Sequence, residues 1–202
     1  AVSVLKNAGC DVVIACMNQA PLATFMASMR DANYNASIIT SYVNASPTTL
    51  GKFVEDGSVT ADRMVYTTAW LDTSSEAGLA GYMEFAAAMA AWELDNGLSG
   101  SEYALNSFAM AGYIAGNIFA QSLDALDKAG LELNYQNYYD IMEKTEFQIP
   151  MGGTLSYANG ARLGVTSLAL LSISTEPGAS GYYELKVESP IMTLDEVLKA
   201  AE

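Results

Sequence analysis

Two thiols, Cys10 and Cys16, are the strongest nucleophiles in a chain of 202 residues that contains no histidine. Without an imidazole there is no Ser–His or Cys–His catalysis, no histidine metal site and no histidine pH switch. No G-x-S-x-G, G-x-G-x-x-G or G-x-x-x-x-G-K-[ST] run is present either. The segment between the cysteines, DVVIA, reads as strand. An extended run of that length holds two Cα atoms about 20 Å apart, whereas a disulfide needs them within about 7 Å. The pair is therefore expected as unlinked, buried thiols. No catalytic residue, cofactor or metal ligand is expected, and the chain is not expected to be an enzyme. Nine basic against twenty-three acidic residues give a net charge of −14 and a pI near 4.1. That field repels phosphate backbones and excludes a nucleic-acid partner. The acidic residues are scattered, as on a solvated surface.

What remains is binding chemistry, carried by amides, hydroxyls and aromatic rings at the ends of apolar runs. DVVIACM (11–17), ASIITSY (36–42) and MVYTTAW (64–70) read as strands. The first is continuous enough to suggest burial on both faces. Between them lie PLATFMASMRDANY, opened by Pro21 with apolar Leu22, Phe25, Met26 and Met29, and PTTLGKFVEDG, opened by Pro47. Strand, helix, strand, helix, strand predicts a parallel sheet with helical crossovers. Ligands of open α/β sheets sit beyond the carboxyl ends of strands. Asn18 and Gln19 follow the first run, Tyr42, Val43 and Asn44 the second, and Trp70 ends the third. Trp70 has two readings, ligand stacking or packing. Asn35-Ala36-Ser37 and Asn44-Ala45-Ser46 also match the glycosylation sequon, a pattern common by chance.

Downstream the pattern becomes helical, at 76–95, 102–130 and 134–146. After Pro150 it turns to β-structure, with a hairpin expected at Asn159-Gly160, a second turn at EPGASG, and a final helix opened by the capping box Thr193 and Glu196. The stretch 103–123 carries no charge and contains Gly112-x-x-x-Gly116. Its length suits a bilayer. At about 100° per residue, however, Asn106, Asn117, Gln121, Asp124 and Lys128 fall on one stripe. It is read as a water-soluble helix with one wet edge, its glycine flank facing protein. Three blocks result: 1–72, 73–150 and 151–202. No charged and apolar leader segment precedes Ala1. The expectation is a removed leader or a piece of a longer chain.

The runs FAMAGYIAGNIFAQSLDALDKAG, NYYDIMEKTEFQIPMGGTLSYANGARLG and the opening LKNAGCDVVIACMNQAPLATFMASMRDANY resemble the type 1 periplasmic solute-binding proteins. The branch they resemble serves leucine/isoleucine/valine ABC transporters. The resemblance implies an α/β chain with a parallel sheet and helical crossovers, but only the C-terminal part of a two-lobe protein. By it, 1–72 is second-lobe, 73–150 first-lobe, and 151–202 returns to the second lobe. It implies an extracytoplasmic, bacterial protein that closes on a small polar ligand, an amino acid or a relative of one, and delivers it to a membrane permease. Asn18, Gln19, Tyr42, Asn44, Trp70 and Tyr103 are then the cleft candidates. In that family the first loop carries an aromatic side chain and the second an acid for the ligand's ammonium. Here they offer Asn18-Gln19 and Ser41-Tyr42, a departure that weakens the case for an α-amino acid. The alternatives are a ligand-sensing receptor or regulator of the same fold, or a fragment of an α/β enzyme. The apolar helices 76–95 and 102–130 imply a homodimer if the chain stands alone.

Overall fold

The computed structural model describes residues 1–99, 103–179 and 181–201. Helix α1 (Val2–Asn7) ends just before Gly9, whose φ of 70° suits a residue without a Cβ. The three apolar runs then form β1 (Val12–Ala15), β2 (Ser37–Thr40) and β3 (Val65–Ala69), separated by α2 (Gln19–Asp31) and α3 (Pro47–Glu55). β1 pairs with β2, and β2 with β3, both parallel as expected. Leu22, Met26 and Met29 of α2 and Leu50 of α3 press on Val13, Ile38 and Val65 to make the first core.

That core covers one sheet face only. Burial alternates along β1, leaving Val12 51% and Ile14 75% exposed. The expected burial of DVVIACM on both faces is thus corrected. The run is more apolar than this chain's own elements require.

Past β3 come α4 (Glu76–Asp95) and α5 (Ser107–Lys128), then α6 (Tyr135–Lys144). Ser75 caps α4 by accepting the Gly78 N–H. Asn106 caps α5 by accepting from the N–H groups of Phe108 and Ala109. The expected unbroken helix from 103 is therefore interrupted. Tyr103–Leu105 is a 3-10 turn, and Asn106, assigned to the polar stripe, is a cap in extended conformation. Residue 102 lies outside the described residues. The buried line of α5 is Met110, Ile114, Ile118, Ser122 and Leu126. Gly112 and Gly116 face open space, and Gln121 of the stripe exchanges hydrogen bonds with the backbone of Gln148. The glycine flank faces out rather than toward protein, while Asp124 and Lys128 of the stripe stay exposed as an ion pair. No helix among the described residues is long and apolar enough to cross a membrane.

The last block is a small hairpin, β4 (Phe147–Gln148) with β5 (Thr154–Leu155), followed by β6 (Ser167–Ile173), β7 (Leu185–Thr193) and α7 (Leu194–Ala200). β6 lies antiparallel to β3, and β7 antiparallel to β6, giving the order β1-β2-β3-β6-β7. β7 thus runs in the same direction as β1–β3. The hairpin expected at Asn159-Gly160 does not form. Those residues sit in a 3-10 turn with φ of 59° and 73°. β6 already has β3 and β7 on its two edges, so β5 has no edge of β6 to join. Of the expected EPGASG turn, Ser180 lies outside the described residues, while the Gly178 N–H donates to the Tyr182 carbonyl between β6 and β7; Thr193 and Glu196 form the expected capping box.

The exit of β3, the β4–β5 turn and the far end of β7 meet at Asp72. The Asp72 N–H donates to the Met151 carbonyl at 3.0 Å, and the Ile191 N–H donates to the Asp72 carboxylate at 3.3 Å. Gly81 of α4 lies directly against residue 150, where a Cβ would sit 1.8 Å from the Pro150 carbonyl oxygen. Backbone cannot yield as a side-chain tip can. Gly81→Ala is expected to destabilise the chain by about 2–3 kcal/mol through forced overpacking, read as a lowered urea midpoint at unchanged slope. Gly112→Ala, with nothing near it, should be neutral or mildly stabilising, since alanine is the better helix former.

Candidate ligand-binding site

Parallel pairing brings the carboxyl ends of β1, β2 and β3 side by side, and the loops leaving them bound a cavity of about 490 Å³. Cys16, Met17, Asn18, Thr40, Ser41 and Thr68 are among its walls. Ile14 and Ile39, from the open sheet face, extend it on the apolar side.

The loops are tied to each other. Thr40 Oγ1 donates to the Ala15 carbonyl at 2.8 Å. Asn44 Nδ2 donates to both the Met17 carbonyl and Thr40 Oγ1, each at 2.9 Å. Gln19 Nε2 donates to the Val43 carbonyl at 2.9 Å, and Ser107 Oγ to the same oxygen at 3.1 Å. Ser46 Oγ completes the contact with the start of α5 by donating to the Leu105 carbonyl. A fully buried amide such as Asn44 is held by these bonds. Each is worth about 1 kcal/mol net, but losing one leaves a desolvated carbonyl behind. Its Oδ1 is also buried and has no hydrogen-bond partner.

The six sequence candidates therefore separate. Asn18 lines the cavity. Gln19 and Asn44 clamp its loops from behind. Tyr42 and Trp70 meet each other, with ring centroids 4.2 Å apart, next to the cavity's Val43 wall. Tyr103 lies elsewhere. Its ring meets Trp92 edge-on at 5.7 Å, and its N–H donates to the carboxylate of the buried Glu93. Asn44 is too enclosed to carry a glycan, and Asn35 accepts from the Arg63 guanidinium. The cysteines are free, yet Cys16 is exposed at the cavity rather than buried as expected. Thr40 and Thr68 are not among the sequence candidates, and Ser41 enters there only beside Tyr42 in the second loop. Their signal was hydroxyls at strand ends, which Val-Thr-rich strands also carry for packing reasons.

The lining has hydroxyl, amide, thiol and thioether groups and no charged side chain. It offers neutral hydrogen bonding beside aliphatic surface. No acid–base pair lines it, and no group of three or more acidic or cysteine side chains gathers to hold a metal among the described residues.

No protein-family model matches the chain, and no curated protein matches its sequence. Solved structures do. An extracellular ligand-binding receptor from Rhodopseudomonas palustris shares 16% identity, with a TM-score of 0.62 over 92% of this chain and 50% of that one. A leucine-binding protein, LivK, from Thermotoga maritima shares 12% identity, with a TM-score of 0.63 over 96% of this chain and 48% of that one. The chain spans about half the length of either structure. At such identities the likeness speaks for the fold alone: a type 1 periplasmic-binding-protein-like α/β chain.

Proposed function

We propose that the chain is the ligand-holding part of an extracytoplasmic solute-binding protein, which takes a small polar molecule at the carboxyl ends of β1–β3 without transforming it. The observation that carries the reading is the uncharged polar cavity at that place in the fold. The structural likeness to a ligand-binding receptor and to a leucine-binding protein supports it. In this reading residues 1–72 and 151–202 build one lobe, a division supported by the pairing of β6 with β3. Residues 73–150 belong to a second lobe that completes the cleft. The bound protein serves a membrane permease of the ABC class. A ligand-sensing receptor of the same fold uses the same cavity.

Cys16 gives the site a built-in reporter and Cys10 an internal control, since only Cys16 lines the cavity. A panel of amino acids, amides and polyols is screened for slowing of alkylation by iodoacetamide, read by peptide mass spectrometry. At least one solute should protect Cys16 saturably and leave Cys10 unaffected. Asn18→Ala should raise the half-protecting concentration about tenfold, equivalent to one lost hydrogen bond of about 1–1.5 kcal/mol. Equal protection of both thiols, or none at Cys16 by any solute, refutes the reading.

A further inference from the structure

A second cavity, of about 660 Å³, lies away from the strand ends, between α4, the start of α3 and the turn that joins β6 to β7. Its size falls within the range of small-molecule sites, about 300–1,000 Å³. Leu71, Leu105 and Leu171 contribute apolar surface. Three tyrosines, Tyr82 from α4 and Tyr182 and Tyr183 from the turn, contribute rings. One lining side chain is charged, Glu184, and no lysine or arginine joins it. Among the described residues no hydrogen-bond donor or cation engages its carboxylate.

Two glycines set these groups in place. Tyr183 lies flat on α3 at Gly51, where a Cβ would come within 2.5 Å of its ring. Glu184 rests on Gly178, where a Cβ would sit 1.9 Å from Oε1. Neither glycine has a positive φ. The backbone alone does not call for glycine at these positions, and the space it leaves is taken by the ring and the carboxylate. Burial raises the Tyr82 hydroxyl above its ordinary pKa, so the ring stays an uncharged phenol.

We propose that this cavity is a second binding site, separate from the strand-end cleft, for a small organic cation: an ammonium bearing an aromatic or branched apolar group. The ammonium meets the Glu184 carboxylate and the faces of the tyrosine rings, which attract cations through their quadrupoles. The apolar group fills the leucine-lined depth. An anion is disfavoured by the carboxylate, and the chain's net charge of −14 concentrates cations around it. An uncharged molecule gains only the apolar contact, because Glu184 is exposed and its carboxylate stays hydrated beside such a ligand.

Calorimetric titration of the chain with benzyltrimethylammonium tests this, alongside benzyl alcohol and phenylacetate as uncharged and anionic counterparts. The cation is expected to bind saturably at one site per chain, at least tenfold tighter than either counterpart. Glu184→Gln should weaken it about tenfold. Gly178→Ala should do the same by displacing the carboxylate while leaving it in the sequence. Asn18→Ala, in the strand-end cavity, should leave the titration unchanged, so failure here and failure of the cleft reading are distinguishable. Absence of saturable binding, equal affinity for the three probes, or insensitivity to both Glu184→Gln and Gly178→Ala overturns the proposal. Loss of binding on Asn18→Ala places the cation in the cleft and overturns it too.

Discussion

Replacing Asp72 by alanine is expected to lower the unfolding free energy by about 3–5 kcal/mol, as expected when several donors to one buried anion lose their acceptor. The carboxylate is 7% exposed and accepts from the Ser74 hydroxyl, the Ser74 N–H and the Ile191 N–H. It therefore joins the exit of β3 to the C-terminal end of β7, while its own N–H reaches Met151. Burial alone would raise its pKa. The donated hydrogen bonds, led by that of the Ser74 hydroxyl, outweigh burial and hold it below the ordinary carboxylate value. The sign follows. A folded pKa below the unfolded value of about 3.9 contributes stability above that pH, and the contribution disappears as pH falls through the folded value. Urea midpoints between pH 2 and 7 should show the wild-type chain losing stability at the acid end. Asp72→Asn, nearly isosteric, should lose most of the Asp72 contribution at pH 7 and show a flatter acid limb. A full-strength Asp72→Asn at neutral pH would remove Asp72 as the tie.

Self-association is the second large effect. Trp92 and Leu94 of α4 are 51% and 65% exposed, and Phe108 and Phe119 of α5, beside the open glycine flank, are about half exposed. Apolar surface left in water forgoes about 25 cal/mol per Å², so several such side chains amount to several kcal/mol of unrealised burial. That is comparable to a whole domain's stability of about 5–15 kcal/mol. At low micromolar concentration the chain should sediment as a dimer or larger, through α4 and α5. Phe108→Glu with Phe119→Glu should shift it to monomer while leaving the circular dichroism unchanged, because both residues point away from the core. A monomeric wild-type chain at those concentrations would contradict the expectation.

Local rules account for what could be read early. The β-branched runs, Pro21 and Pro47 near helix starts, and the Thr193/Glu196 box each act within a few residues, and the parallel β1–β3 unit follows from them. Tertiary competition accounts for the rest. Asn159-Gly160 has the left-handed preference of a hairpin turn, but both edges of β6 are occupied by distant strands, and the dipeptide makes a 3-10 turn instead. Gly112 and Gly116 look like a contact motif, but Met110, Ile114 and Ile118 are larger and claim the core. The close-packing glycines are Gly78 and Gly81, which carry no spacing signal because their partners, Asp72 and Pro150, are backbone carbonyls. At the candidate site, the strand-end rule leads to the cavity that Asn18 lines. Tyr103 fell outside because Asn106 starts a new helix and turns the segment toward Trp92.

The pairing of β3 with β6 has a kinetic side. Thr67 meets Leu171 across roughly a hundred intervening residues, most of them helical. Closing so long a loop costs only slightly more free energy than closing one of half the length, about 0.6 kcal/mol per doubling. The delay matters more than the cost, because non-local pairing dominates slow folding. During synthesis β3 keeps an open edge until residues 167–173 appear. Ile173 is missing from the first core for the same interval. For that time the growing chain displays a parallel three-stranded ribbon with both edges free and one apolar face, a form prone to edge-to-edge aggregation. A nascent chain halted before β6 should therefore be the most chaperone-dependent stage in the protein's production.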